Sequence, residues 1–320
     1  MARAIATVFK AYDVRGVYPE ELDEELAYRI GRAFALYLRP RHVVVGRDMR
    51  ISSPALAEAI IRGLLDQGVD VTNVGLVSTD ALYFAVGKYR FDGGVMVTAS
   101  HNPPEYNGFK LCREEAQALS LDSGIGEIRD LVLRGEFPEP ERRGTLVERD
   151  ILDDFAAHVL SFIDTSIIKP FTIVVDAGNG MGGLIAPKVL GRLPVRIIPL
   201  YFELDGRFPN HVPNPIEPEN VRDLQHAIRE HRADMGIAFD GDADRMFILD
   251  EQARLVGGDM VTALVAKTLL QKHPGAKIVY NLICSRAVPE TIRQYGGVPI
   301  RSRVGHSFIK ALMRQHDAIF

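Results

Sequence analysis

The 320-residue chain is long enough for two or three domains, and 47% hydrophobic with 25% charged residues is ordinary globular composition. A formal net charge of -4 argues against a nucleic-acid partner bound by phosphate neutralisation, while leaving room for a local basic pocket. Cys112 and Cys284 stand too far apart for a C-x-x-C pair, which excludes a disulfide framework or a cysteine zinc site. The first residues hold no apolar run of signal-peptide length and no later run is long enough for a bilayer span, so a cytoplasmic, non-membrane protein is expected.

In chain order, His42 to Gly46 reads as a buried strand. Ser53 is expected to cap a helix with Pro54 at its first position and Leu56, Ile60 and Leu64 on its apolar face, and Gly68 stops it. A strand over Val69 to Val74 completes a βαβ unit. Gly93 to Val97 is an apolar strand that sets Ser100 just past its carboxyl end, where α/β sheets place their chemistry. Asn102-Pro103-Pro104 forbids a helix there, and Asn107-Gly108 is expected to form a tight turn that delivers Lys110. Ser100, His101 and Lys110 are thereby placed to converge. The acidic, proline-rich stretch 135–141 reads as a connector, followed by a helix from Ile151 to Phe162. The unit recurs as a strand at Ile173 to Asp176, a helix around Ile185 to Leu190 and a strand from Val195 to Ile198. A third copy follows a helix from Met260 to Leu270: Ile278 to Tyr280, Val288 to Tyr295, and Val298 to Ile300. A last helix begins near Phe308, and no closing strand is expected before Phe320. The pattern predicts three successive related α/β domains with mixed, largely parallel sheets, over 1–148, 149–254 and 255–320, the third incomplete.

Asp240, Asp242 and Asp244 lie between two strand-like runs, Met235 to Phe239 and Met246 to Leu249, with Arg245 beside them. Three carboxylates at every second position repel one another unless a hard cation such as Mg²⁺ joins them, and Arg245 offers a fork for a phosphate. An EF-hand reading fails because position 6 is Arg245 and the flanks are strands. An aspartyl-phosphate phosphatase and a solvated acidic turn remain as other readings. Asp176 to Gly183 contains a literal G-x-G-x-x-G, whose dinucleotide reading would take Glu203 or Asp205 as ribose acceptor. A lone fingerprint of that kind is weak, and the serine and aspartate loops need no nicotinamide.

The run Thr98 to Lys110, with Asp240-Gly241-Asp242-Ala243-Asp244-Arg245, resembles the phosphoserine and metal loops of the α-D-phosphohexomutase superfamily, in its phosphomannomutase/phosphoglucomutase spelling. Lys10 to Gly16, Asp176 to Gly183 and Val304-Gly305-His306 resemble further family segments. The resemblance implies Ser100 as phosphoryl carrier and Mg²⁺ held by Asp240, Asp242, Asp244 and the Ser100 phosphate. It also implies charge neutralisation by Arg245, substrate contacts from Tyr12, Gly305 and His306, and Arg15 and His101 at the site. Lys110 is the implied general acid and base, its pKa lowered from about 10.4 by neighbouring cations. The implied reaction interconverts a hexose 1-phosphate and a hexose 6-phosphate (mannose, glucose or both) through a bound hexose 1,6-bisphosphate. The implied partner is a phosphosugar, and oligomeric state is unknown.

Two departures stand out. Leu282 and Ile283 occupy the place where some bacterial relatives carry a substrate-contacting lysine. The family's G-E-x-S-G-H sugar loop and its fourth, phosphate-clamping domain would lie beyond Phe320. The chain is therefore expected to be C-terminally truncated and to isomerise poorly. The rivals to a mutase are a phosphatase and a non-catalytic phosphosugar-binding fragment.

Overall fold

The computed structural model describes residues 2–320, and the side chains of 2–4, His306 and Ser307 lie outside the described residues. The chain divides into two units, Met1–Ala253 and Arg254–Phe320. In the first unit the elements are α1 (Ala2–Thr7), β1 (Val14–Val17), α2 (Glu24–Leu38), β2 (His42–Arg47), α3 (Ser53–Leu65), β3 (Asp70–Leu76), α4 (Thr79–Tyr89), β4 (Gly93–Val97), β5 (Tyr106–Arg113), β6 (Gln117–Ala118), α5 (Ile125–Arg134) and β7 (Leu146–Glu148). These continue as α6 (Leu152–Ser161), β8 (Phe171–Asp176), α7 (Gly182–Leu190), β9 (Val195–Leu200), α8 (Arg222–His231), β10 (Met235–Phe239) and β11 (Met246–Leu249).

Continuous apolar runs become the strands buried on both faces. Val43, Val44 and Val45 are fully buried in β2, and every residue of β4 is buried. The first sheet orders β1-β5-β4-β2-β3-β7, with β6 beside β5. Strands β4, β2, β3 and β7 run parallel, while β5 and β1 are antiparallel to their neighbours. The carboxyl end of β4 therefore opens at Thr98 to Ser100. In the second sheet β10 and β9 flank β8 in parallel, and β10 turns back antiparallel into β11. Phe239 pairs with Met246 and so closes the loop 240–245.

The α6 segment and α7 join the second lobe to a core cluster of the first sheet. Ile151 and Phe155 of the α6 segment pack with Val44, Leu82, Val86 and Met96 of the first sheet's layer, and Ile185 of α7 leans on the same cluster. These two parts are lobes of one unit.

Two local expectations are corrected. The α3 cap is Ser52 and its side chain makes no capping bond; Ser53 is the first helical residue and donates its hydroxyl to Asp48 instead, at 2.6 Å. Asn107-Gly108 is strand, not turn: both residues lie inside β5, paired with Gly16 and Arg15 of β1. Glycine is required there because a Cβ on Gly108 would run into the Val14 carbonyl.

In the second unit follow β12 (Leu255–Val256), α9 (Gly258–Lys272), β13 (Lys277–Asn281), α10 (Ala287–Gln294), β14 (Val298–Ser302) and α11 (His306–His316). β13 and β14 pair in parallel over a core of Ala266, Leu270, Ile278, Val288 and Ile292. As expected, no strand follows α11 among the described residues, although the last residues bond to β13. The Ile319 amide donates to the Lys277 carbonyl at 3.0 Å and the Val279 amide to the Phe320 carbonyl at 2.7 Å. Among the described residues no helix is long and apolar enough to cross a membrane.

Candidate active site

Within the first unit the serine loop after β4 meets the aspartate loop between β10 and β11. Ser100 is buried and takes a left-handed backbone, φ 51°, which a side chain adopts at a cost unless its surroundings enforce it. Its hydroxyl donates to Asp240 Oδ2 at 2.8 Å and accepts from Arg245 Nη2 at 2.8 Å. The Arg245 Nε also donates to Asp240 Oδ2 at 2.8 Å, and the Arg245 amide to Asp240 Oδ1 at 3.1 Å. A nucleophilic oxygen, a carboxylate and a guanidinium thus meet at one point.

The three aspartates form one cluster, with a ligand oxygen of each within 4.8 Å of the others. Asp240 and Asp242 are fully buried. Burial and the neighbouring Asp242 and Asp244 raise the Asp240 carboxyl to about 7. Burial also disfavours the Asp242 carboxylate, but Lys110 and Thr79 outweigh it and hold that carboxyl below its ordinary range. Asp242 Oδ1 has no hydrogen-bond partner although it is buried. A converging set of carboxylate oxygens, one of them unsatisfied, fits a hard divalent cation such as Mg²⁺.

Lys110 departs from expectation. Its Nζ donates to Asp242 Oδ2 and Asp244 Oδ2, both at 2.6 Å, and lies 3.4 Å from Thr79 Oγ1. Burial alone would lower its pKa, but the two carboxylates overcome that and raise it above the ordinary lysine value. The expected lowering by cations is therefore reversed, because the nearest charges are anions. His101 goes the other way: burial, then Arg245 and Arg15, lower it to about 4, and its Nδ1 accepts from Arg245 Nη2. It is a neutral acceptor that braces the arginine.

Arg15 sits behind the serine loop, donating to the Ala99 carbonyl at 2.9 Å and to Asn102 Oδ1 and Asp13 Oδ2, each at 2.5 Å. Tyr12 stands half-buried on the bend before β1. Gly305 caps α11 in the second unit with φ 132°, and the His306 side chain lies outside the described residues.

Sequence reasoning missed several groups that build the site. Thr79, first residue of α4, donates its hydroxyl to Asp242 Oδ2 at 2.5 Å and its amide to the Asp242 carbonyl at 3.3 Å. Asp48 and Arg50 lie buried beneath the serine loop. The signal was three charges, Arg47, Asp48 and Arg50, following the apolar run Val43-Val44-Val45-Gly46 at the carboxyl edge of the sheet. The glycine-rich turn buttresses the aspartate loop: the Met181 amide donates to the Gly241 carbonyl at 2.9 Å. Gly241 also presses the Ser100 carbonyl so closely that a Cβ would collide with it. With Gly241 lodged against it, the turn has no free approach for a pyrophosphate.

The loop 208–215 backs this arrangement through His211. Its Nδ1 contacts the Val212 carbonyl at 3.0 Å and its Nε2 the buried Asp176 carboxylate at 3.1 Å. Both partners accept, so both ring nitrogens carry protons in the cationic form. Burial opposes that charge, but Asp176 outweighs it and raises the His211 pKa. A pKa raised on folding gives stability that is complete below the unfolded value near 6.5 and is lost as pH rises through the folded value. The urea midpoint of the parent should therefore exceed that of His211→Gln most at about pH 5.5, the gap narrowing towards about pH 9. A gap that widens with pH would refute this.

Serine, arginine and an oxygen-rich cluster that could hold a cation, at the carboxyl ends of α/β strands, form an arrangement suited to phosphoryl transfer. Family models for phosphoglucomutase/phosphomannomutase α/β/α domains I, II and III match residues 6–139, 153–257 and 257–320. A phosphomannomutase of Escherichia coli is 45% identical over 322 residues, covering 98% of this chain and 71% of the relative. A phosphohexose mutase of Xanthomonas campestris pv. campestris is 43% identical over 312 residues, with 98% and 70% covered. The crystal structure of a phosphoglucomutase/phosphomannomutase family protein from Burkholderia thailandensis superposes with a TM-score of 0.92 at 36% identity, covering 98% of this chain and 69% of that one. The chain belongs to the phosphoglucomutase/phosphomannomutase family.

Proposed function

We propose that this site interconverts hexose 1-phosphate and hexose 6-phosphate by way of a phosphorylated Ser100. The observation that carries the reading is the Ser100 hydroxyl, 2.8 Å from both Asp240 and Arg245 at the edge of the three-aspartate cluster. Phosphorylated Ser100 gives its phosphoryl group to the free hydroxyl of the sugar phosphate: the P–Oγ bond breaks and a P–O bond to the sugar forms. The sugar hydroxyl loses a proton and Ser100 Oγ gains one, and Lys110 is the group proposed to carry it. The resulting hexose 1,6-bisphosphate turns over and returns its other phosphate to Ser100. Asp240, Asp242 and Asp244 would hold Mg²⁺, which supplies neutralisation of charge on the transferring group. Arg245 adds a second cation there, and neutral His101 fixes its orientation. Tyr12, Gly305 and His306 are proposed sugar contacts, and Arg15 a support of the serine loop. Relatives named phosphomannomutase at 40–45% identity favour mannose phosphates, with glucose phosphates as the second substrate.

The test is a coupled assay with mannose 1-phosphate and glucose 1-phosphate, Mg²⁺ and a trace of bisphosphate, together with intact-mass measurement of the protein. Isomerised sugar phosphate and a phosphorylated chain are expected. Release of inorganic phosphate without isomer would sink the mutase reading.

A further inference from the structure

We infer that Arg50 is the positioning residue of the serine loop, setting the Ser100 hydroxyl in its working place without touching substrate. The inference rests on the mutase reading above for its kinetic consequence. The Arg50 side chain is fully buried, and so is its counter-ion Asp48, 3.3 Å away. Its terminal nitrogens make four bonds, all to main-chain carbonyls of one short segment. Nη2 donates to Ser100 at 2.9 Å and Asn102 at 2.6 Å, and Nη1 to Pro103 at 2.7 Å and Tyr106 at 2.9 Å. The remaining nitrogen, Nε, faces Asp48.

A guanidinium used this way is a template. Its donors diverge in one plane at fixed angles, so four carbonyls that meet them are fixed relative to one another. This is what the left-handed Ser100 requires, since a non-glycine residue holds such a backbone only when its surroundings over-determine it. The template is itself fixed from two sides. Asp48 Oδ1 accepts from the Arg50 amide at 3.0 Å and from the Ser53 hydroxyl at 2.6 Å. From the second lobe, the Phe208 ring lies over the guanidinium at 5.1 Å, and Gly206 packs so near that a Cβ would come within 2.7 Å of the Arg50 Cα. A buried arginine serving only as core would have no reason to spend every terminal contact on residues 100–106.

Lysine keeps the charge but is a point donor without the fork, so Arg50→Lys separates the template from the charge. Expected for Arg50→Lys are a folded protein, a KM near the parent's and a kcat lower by about 10²-fold, the loss that a misplacement of about 1 Å brings. Hydrogen exchange should quicken in a peptide covering 98–108 and stay unchanged in the peptides of α2 and β8. Asp48→Asn keeps the shape and the acceptor for Ser53, and should show the same pattern more weakly; it carries the test if Arg50→Lys does not fold. A folded variant whose 98–108 exchange matches the parent's, or whose loss lies in KM with kcat intact, overturns the inference. A parent that makes no isomer sinks the mutase reading instead, and the exchange comparison then judges Arg50 alone.

Discussion

Ser100→Ala should abolish isomerisation, by roughly four orders of magnitude or more, because among the described residues the Ser100 hydroxyl is the one that bridges Asp240 and Arg245 and could carry the phosphoryl group. The loss should fall on kcat. The fold should survive: the Ser100 backbone is held by Arg50 and by its own amide, which donates to Thr98 Oγ1 at 2.9 Å, and neither contact uses the side chain. The cost is the hydroxyl's contacts with Asp240, Arg245 and, at 3.4 Å, His101 Nδ1, and Asp240 keeps the Arg245 fork when they go. Intact mass after incubation with hexose 1,6-bisphosphate should show a phosphorylated parent and an unmodified variant. A variant that still takes up phosphate, or isomerises at the parent's rate, would refute Ser100 as carrier.

The second large effect concerns the cation. Asp242→Ala removes the carboxylate whose Oδ1 is buried and unpartnered, so its loss should weaken Mg²⁺ binding by at least about 10–100-fold, the range that even indirect metal partners command. Added Mg²⁺ should raise the parent's Tm through binding to the folded state alone, and that rise should disappear in the variant. Without metal the variant should lose little stability. Breaking a buried ion pair ordinarily costs about 3–5 kcal/mol, but Lys110 keeps Asp244 at 2.6 Å and Asp240 sheds a like-charged neighbour. Chelation of the parent should stop turnover. Full turnover in excess chelator, or an undiminished Mg²⁺-dependent Tm rise in the variant, would make the three aspartates structural.

The βαβ periodicity of the chain was legible because buried strands such as β2 and β4 are unbroken apolar runs, and helices such as α3 carry their own punctuation. The two loops were legible because Ser100 and the aspartates are unusual residues at the ends of such runs. What the residues hid was long-range. Asn107-Gly108 has turn composition but is drawn into β5 by its pairing with β1, a contact more than ninety positions away. The pKa of Lys110 was expected to be lowered by cations, but its nearest neighbours, Asp242 and Asp244, arrive from another lobe and change the sign of its environment. Arg50 was not singled out, since a buried arginine shows itself only once the carbonyls that satisfy it are in place. The glycine-rich turn has the spelling of a nucleotide loop, and only the lodging of Gly241 against it shows that its amide is already taken.

The close seat of Gly241 on the Ser100 carbonyl bears on how the reaction's geometry is solved. There is no room there for even a methyl group, and α6 packs against the first sheet's core, so the serine loop is closely held against the aspartate loop. A mutase must present two different oxygens of one sugar to a single phosphoryl site. If Ser100 is the donor, as proposed, it would work as a stator and the rotation would belong to the sugar: the bisphosphate would pivot through a half-turn above a serine that keeps its place.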